Sequence, residues 1–262
     1  MMLGPAQSLA SALRRIRRRT LDLDDLWHKD VPVEVEFWRR YLLTRGSDWP
    51  DEFRHRVDPS AALREPLVAD RLDRFAASTP VSILDVGAGP LTILGKRHPD
   101  RRLDITAVDP LAEHYDRILA EAQVDPIVRT IPCAGEALVE RFGRAAFDVV
   151  YARNAIDHSV RPVDIIRNMV TVARPGGFVA LRHYRHEAVS TGWVQLHQWN
   201  FDIRGGDLFV WGRKTTHNVT AMLFGQATTT CWIDPASDKT PWVLAIIEKP
   251  IPGRDGAAIQ LG

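Results

Sequence analysis

Cysteine is scarce in this chain of 262 residues. Cys133 and Cys231 are the only two, too few for a disulfide framework or a cysteine-ligated zinc site, and such scarcity fits a reducing, cytoplasmic compartment. Lysine is scarce as well, with 5 against 29 arginines; GC-rich coding accounts for that preference more simply than anion binding does. Neither sign of charge is in surplus. Thirty-four Lys and Arg face 33 Asp and Glu, a formal net charge of +1, so no overall field draws the chain to nucleic acid. No apolar run reaches 18 residues, which argues against a membrane span, and no internal repeat is apparent. The composition fits a soluble globular protein long enough to bury a core without staples. It leaves the oligomeric state open, a homodimer included.

One stretch departs from this balance. Residues 1–19 hold Arg14, Arg15, Arg17, Arg18 and Arg19 with no acid, and Leu9, Leu13 and Ile16 recur at helical spacing. The stretch lacks the apolar run of a signal peptide and reads as a basic amphipathic helix, solvated or docked on its own body. Residues 20–79 read as two or three helices broken at Pro32, Pro50 and Pro59. From residue 80 the pattern becomes regular. Short apolar runs at 81–86, 103–108, 127–131, 147–152 and 178–182 alternate with helical periodicity near 91–97, 112–123, 136–143 and 162–173. That alternation predicts an α/β fold, a doubly wound and mostly parallel sheet. Two further runs, 228–233 and 242–247, suit an antiparallel pair that brings the sheet to seven strands. Between the fifth and sixth strands, residues 199–203 and 207–211 flank Arg204-Gly205-Gly206, the signal of an inserted β-hairpin. Domain boundaries follow: an N-terminal helical cap over 1–79, a main domain over 80–250 with an insertion at about 184–226, and a tail over 251–262. No tryptophan occurs between residues 50 and 192, so all eight lie in the additions and the terminal strands, where lids and acceptor pockets are built.

The chemistry begins at Asp85-Val86-Gly87-Ala88-Gly89. Two glycines let a ligand approach the backbone, and a helix expected after them would point free N–H groups at it. A dinucleotide fingerprint needs a third glycine at position 92, which is Thr. The acid at Asp85 would repel a pyrophosphate but suits a ligand carrying an ammonium and a sulfonium. Asp109, in Asp109-Pro110 at the end of the second strand, can accept hydrogen bonds from both hydroxyls of a ribose.

As a set, these residues resemble the class I S-adenosylmethionine-dependent methyltransferases, whose seven-strand sheet ends in an antiparallel pair. The resemblance covers about residues 80–250. Asp85, Gly87 and Gly89 match the family's first motif, with Leu91 where its commonest form has a third glycine, and Asp109 matches the ribose-binding acid. The stretch 133–138 matches the adenine loop, where Ala134 replaces a frequent acid, so the contact falls to the Gly135 backbone and Glu136. Phe147-Asp148 and Arg174-Pro175-Gly176-Gly177 match the motifs around the fourth and fifth strands, and Asp148 in that pattern is structural. The resemblance implies S-adenosylmethionine as cofactor.

Catalysis belongs to the carboxyl ends of the strands. After the fourth strand, His158 is the candidate general base, with adjacent Asp157 to orient it, and Asn154 suits the methionine end of the cofactor. Beyond the fifth strand, His183, Tyr184, His186 and, further on, His197 form a second base-rich set for the acceptor. Trp199 adds an indole face for a sugar ring. Asp157, His158, His183 and His186 lack any fixed metal-ligand spacing, so no metal is expected. The resulting expectation is O-methylation of a polar small molecule, foremost a saccharide or glycan-precursor hydroxyl. Alternatives are a natural-product or quinone-type O-, N- or C-methyltransferase, a nicotinamide oxidoreductase, and a non-catalytic cofactor-binding module.

Overall fold

The computed structural model describes residues 22–235 and 240–253; the arginine-rich stretch 1–19 and nearly all of the tail lie outside the described residues. Helices α1 (Leu23–Leu43), α2 (Pro50–Val57) and the short α3 (Pro66–Ala69) precede β1 (Val81–Val86). Then come β2 (Leu103–Asp109), α4 (Ala112–Glu121), β3 (Thr130–Pro132), α5 (Leu138–Phe142) and β4 (Phe147–Arg153). Next are α6 (Pro162–Val172), β5 (Ala173–Tyr184) and a single turn, α7 (Glu187–Ser190). The insertion is β6 (Asn200–Arg204), β7 (Asp207–Trp211) and β8 (Thr216–Asn218), followed by α8 (Val219–Met222). Strands β9 (Thr228–Asp234) and β10 (Trp242–Glu248) complete the order.

Seven strands form one sheet in the order β3-β2-β1-β4-β5-β10-β9. The first five are parallel, and β10 runs antiparallel to both β5 and β9. Strict alternation of side chains sets up two cores. Leu84, Val150, Val179 and Val243 face α5, α6 and the insertion, whereas Ile83, Val149, Phe178 and Leu244 face α3 and the turn after it. A sheet buried on both faces needs such near-continuous apolar strands. Polar chemistry is thereby confined to the strand ends and their loops.

The structure corrects the sequence reading at three places. No helix occupies 91–97. Residues 95–97 instead bond to 61–63 through Leu63 N to Arg97 O at 2.7 Å and Lys96 N to Ala61 O at 2.8 Å. A Cβ built on Gly95 would lie 2.0 Å from the Ala62 carbonyl oxygen, so that close pairing needs glycine. Pro32 does not break the first helix: α1 runs through it, losing one backbone bond while Tyr41 and Leu42 pack with Tyr115, Ile118 and Leu119 of α4. The hairpin gains a third strand, β8. Its β6–β7 turn is the expected two-residue type, with Gly205 at φ 60° and Gly206 at φ 92°, the left-handed pair that a tight hairpin demands.

Asp148 is structural. One carboxylate oxygen accepts from Ser82 N at 2.8 Å and Ser82 Oγ at 2.7 Å, and the other from Arg174 Nη1 at 2.9 Å. It therefore ties β1, β4 and β5 together at the amino end of the sheet, away from the glycine loop. Asp148→Ala leaves the Ser82 N–H unpaired, and we expect a loss of about 1–3 kcal/mol in chemical denaturation with cofactor affinity unchanged.

Candidate active site at the carboxyl ends of the strands

A cavity of about 1200 Å³ opens where β1, β2 and β4 end. Asp85, Gly87, Ala88, Gly89, Asp109, Pro110, Gly135, Glu136 and Asn154 all line it, and so do His158, Tyr184 and His197. The cofactor candidates, drawn from four separate loops, are thus brought together.

The floor is held by side chains in place of a helix. Asp109, 7% exposed, accepts from Gly89 N at 3.1 Å through one oxygen and from Leu111 N at 2.9 Å through the other. A carboxylate has about four acceptor sites, so the two backbone donors leave room for hydroxyl donors. Burial pushes its pKa up to about 6, against the two backbone N–H groups that favour the anion; Glu34 adds to the rise and His158 opposes it. Asp85 is also buried and likewise raised to about 6, the Thr92 hydroxyl bonding it at 2.5 Å. Thr130 Oγ1 donates to Gly89 O at 2.7 Å. Asn154, left-handed at φ 45°, accepts Tyr184 N–H on its Oδ1 at 3.2 Å, joining the ends of β4 and β5. Tyr184 stacks on Trp242, ring centroids 3.7 Å apart.

Helix α1 forms the opposite wall. A Cβ on Gly89 would meet Trp38 Cζ2 at 2.7 Å, so the indole lies directly against the glycine loop. Trp38 Nε1 donates to Glu34 Oε1 at 2.9 Å, and Glu34 Oε2 stands 3.9 Å from His158 Nδ1. The sequence reading placed Trp38 among the tryptophans of the additions without a partner, and passed over Glu34 and Glu187. No local motif marks them, because Gly89 lies 51 residues from Trp38, His158 lies 124 from Glu34, and only the fold brings Glu187 to the wall that His197 shares with His158.

The histidines gather around one buried carboxylate. Asp157 Oδ2 lies 2.9 Å from His197 Nδ1 and 3.4 Å from His158 Nε2, and the two nitrogens are 3.0 Å apart. Burial pushes Asp157 up, but His158, His183 and His197 outweigh it and hold the carboxyl well below the usual range. Burial pulls His197 down, and Asp157, Glu187 and Glu34 reverse that to a net rise. Glu187 is raised by burial first and by Asp157 second.

Four of the expected residues lie off the cavity wall. Asp157 is fully buried behind His158 and His197. His183 is buried at 1% exposure and stacks on Phe201 at 3.9 Å; its Nδ1 sits 3.7 Å from Asp157 Oδ1, an electrostatic separation too long for a hydrogen bond. His186 turns away to Asp202 Oδ2 at 3.2 Å, beside the Arg185 and Arg204 guanidiniums that also bond Asp202. Trp199 is buried, its indole N–H donating to Ser159 O at 2.9 Å, and it borders a separate cavity of about 790 Å³. It anchors the insertion to the loop after β4. Side chains that leave β5 and β6 on the core face cannot turn to the strand-end cavity, and sequence spacing does not tell those faces apart.

Residues 84–181 match the family model described as a methyltransferase domain. Residues 84–181 thus carry a methyltransferase domain, set in a sheet with the strand order of the class I fold. Solved structures similar to this methyltransferase include 1,6-didemethyltoxoflavin-N1-methyltransferase of Burkholderia thailandensis, determined with 1,6-didemethyltoxoflavin and S-adenosylhomocysteine. It is 15% identical over 85% of this chain and 90% of that one, with a TM-score of 0.46. Phosphoethanolamine N-methyltransferase 2 of Haemonchus contortus is 14% identical over 81% and 60% of the two chains, TM-score 0.49. The CurJ carbon methyltransferase is 13% identical over 95% and 72%, TM-score 0.48. Among the described residues no helix is long and apolar enough to cross a membrane.

The donor set suits this cofactor. Asp109 offers spare acceptor sites to ribose hydroxyls, Asp85 is an anion for an ammonium, and the Gly87–Gly89 backbone and the Gly135 loop border the same space. Because the free protein's Asp109 titrates near 6, its acceptor form prevails above that pH. S-adenosylmethionine affinity should therefore hold above about pH 7 and fall as pH drops through 6. Asp109→Asn should weaken binding by about 1–3 kcal/mol and remove Asp109's part of that fall, leaving the part due to Asp85, which is likewise raised to about 6. Calorimetry from pH 5 to 8 checks both, and unchanged affinity in the variant would detach Asp109 from the ribose.

Proposed function

We propose that this methyltransferase transfers the methyl group to an oxygen of a small, polar, hydroxyl-bearing acceptor, with a saccharide or glycan precursor the leading class. The observation that carries the reading is that Asp109 and the glycine loop share one cavity with His158 and His197. The sugar expectation shifts its support from Trp199 to Trp27, Trp38 and Trp49, which line that cavity with Glu52, Arg56 and Arg153. Indole faces with charged groups between them suit a ring that is apolar on its faces and hydroxylated at its rim. In this reading the segment before residue 80 is an acceptor-side cap. Val33, Phe37 and Trp49, each more than 40% exposed, form an apolar rim at the entrance, and the insertion over 184–226 contributes His197 and Glu187.

Bound in the cavity, S-adenosylmethionine supplies a methyl group on a sulfonium, an electrophile needing no further activation. Asp109 takes the ribose hydroxyls, Gly135 and Glu136 border the adenine, and Asp85 and Asn154 face the methionine end. His158 Nδ1 takes the acceptor proton, while Nε2 is held by His197 and Asp157. Glu34 then offsets the imidazolium from 3.9 Å. The acceptor oxygen forms its bond to the methyl carbon as the carbon–sulfur bond breaks, with proximity and orientation supplying most of the acceleration.

A second reading, N-methylation, is favoured by one observation: Glu34 and Glu187 bring two carboxylates to the histidine wall, a setting that attracts a cationic amine. Formation of S-adenosylhomocysteine against matched hydroxyl, phenol and amine acceptors separates the two. His158→Ala should lower turnover by about 10²–10⁴ with cofactor affinity little changed; near-normal turnover would remove His158 from the reaction. Trp49→Ala should raise KM for the acceptor and leave the fold intact by circular dichroism, and an unchanged KM would place the acceptor elsewhere.

A further inference from the structure

Asp157 Oδ2, His158 Nε2 and His197 Nδ1 form a triangle with sides of 2.9, 3.0 and 3.4 Å. Hydrogen bonding satisfies at most two sides of such a triangle, and the 3.4 Å side is an ion-pair contact without a hydrogen bond. Each contact needs one donor and one acceptor, the carboxylate oxygen only accepts, and each ring nitrogen either donates or accepts. Three mutually touching atoms of two kinds always leave one like-with-like pair. If His197 donates to Asp157, the lone pair of His158 faces the carboxylate. If His158 donates, the lone pair of His197 faces it. If both donate, the two N–H groups collide across 3.0 Å.

A cation resolves all three contacts, since every corner can present a lone pair. We propose that Asp157, His158 and His197 hold a divalent transition-metal ion at the wall of the acceptor cavity. The three atoms lie on a circle of radius about 1.8 Å, so an ion displaced about 1 Å from their plane sits about 2.1 Å from each, the distance of zinc–imidazole and zinc–carboxylate bonds. Two imidazoles and one carboxylate on one face match zinc, manganese, cobalt or ferrous iron rather than calcium or magnesium, and leave positions open. The outer shell fits. His183 stands 3.7 Å behind Asp157 Oδ1, and Glu34 Oε2 lies 3.9 Å from His158 Nδ1, placed to hold the far side of a ligating imidazole. Glu187 Oε1, 3.9 Å from His197 Nδ1 and on the cavity wall, is within reach of the same ion.

The inference deepens the proposed function and rests on it for its role. An acceptor hydroxyl in an open position loses its proton to water at lower pH, and the oxygen then attacks the methyl carbon as above. His158 in that form is a ligand, and its Nδ1 keeps a proton for Glu34. The ligand set was illegible in sequence because His197 lies 39 residues from His158 with no metal-motif spacing.

The test uses the full chain, stripped with chelator and titrated with Co²⁺, followed by visible absorption and calorimetry. One Co²⁺ per chain with d–d bands, competed by Zn²⁺, is expected. His158→Ala and His197→Ala should each weaken Co²⁺ binding at least about tenfold while S-adenosylmethionine still binds in a parallel titration. His197→Gln serves if the alanine variant does not fold. Absence of saturable Co²⁺ binding, or binding unaffected by the variants, overturns the site. Such a result with normal cofactor binding leaves the methyltransferase reading standing, because His158 would then act as the base itself.

Discussion

The hydrogen bond from Gly89 N–H to the Asp109 carboxylate, 3.1 Å long, closes the turn on which the cofactor site is built. A helix expected after β1 would have offered a ligand its N-terminal N–H groups, and this chain has none there. Side chains take over. Asp109 grips Gly89, Asp85 grips Thr92, Thr130 grips the Gly89 carbonyl, and Gly87 N bonds Val108 O at 2.8 Å. The loop from Gly87 to Thr92 is thus fastened to β1, β2 and β3 at once. Its remaining run lies along residues 61–63 rather than folding on itself.

Fastening the loop this way requires carboxylates in a nearly dry place. Asp85 and Asp109 each rise from an ordinary value of 3.8 to about 6, about 3 kcal/mol apiece against the ionised form. Since each folded pKa exceeds the unfolded one, this cost is absent below about pH 4, grows between about pH 4 and 6, and is complete at neutrality. A ligand bringing hydroxyls and an ammonium to these two oxygen pairs offsets it. Polar groups held at a loss until a partner arrives are a signature of binding sites rather than of cores.

Much of this was legible in the residues. Alternation at Ile83/Leu84, Val149/Val150 and Phe178/Val179 fixes strands buried on both faces, and with Gly87, Gly89, Asp109 and Gly135 at strand ends it locates the cavity floor. What escaped was whatever depends on long-range packing. Leu91 and Leu94 have helical spacing, yet one packs toward α4 and the other under the sheet, a division no helix face would make. Pro32 reads as a breaker, yet the packing of α1 on α4 overrides it. His183 and His186 sit in one four-residue run with Tyr184, but strand alternation and a left-handed His186 at φ 58° send them to the core and to Asp202. His197, beyond α7, returns to meet His158.

Helix α1 links the two halves of the site. Its Trp38 lies on Gly89 at the cofactor end, and Glu34, one turn away on the same face, stands near both Asp109 and His158. A turn of helix therefore spans from Asp109 to the histidine wall. Glu34 accepts from the Trp38 indole directly, so each side chain holds the other's orientation. The carboxylate beside His158 and the indole against Gly89 are thus supplied by one turn of one helix, so the packing of α1 on α4 sets both ends of the cavity together.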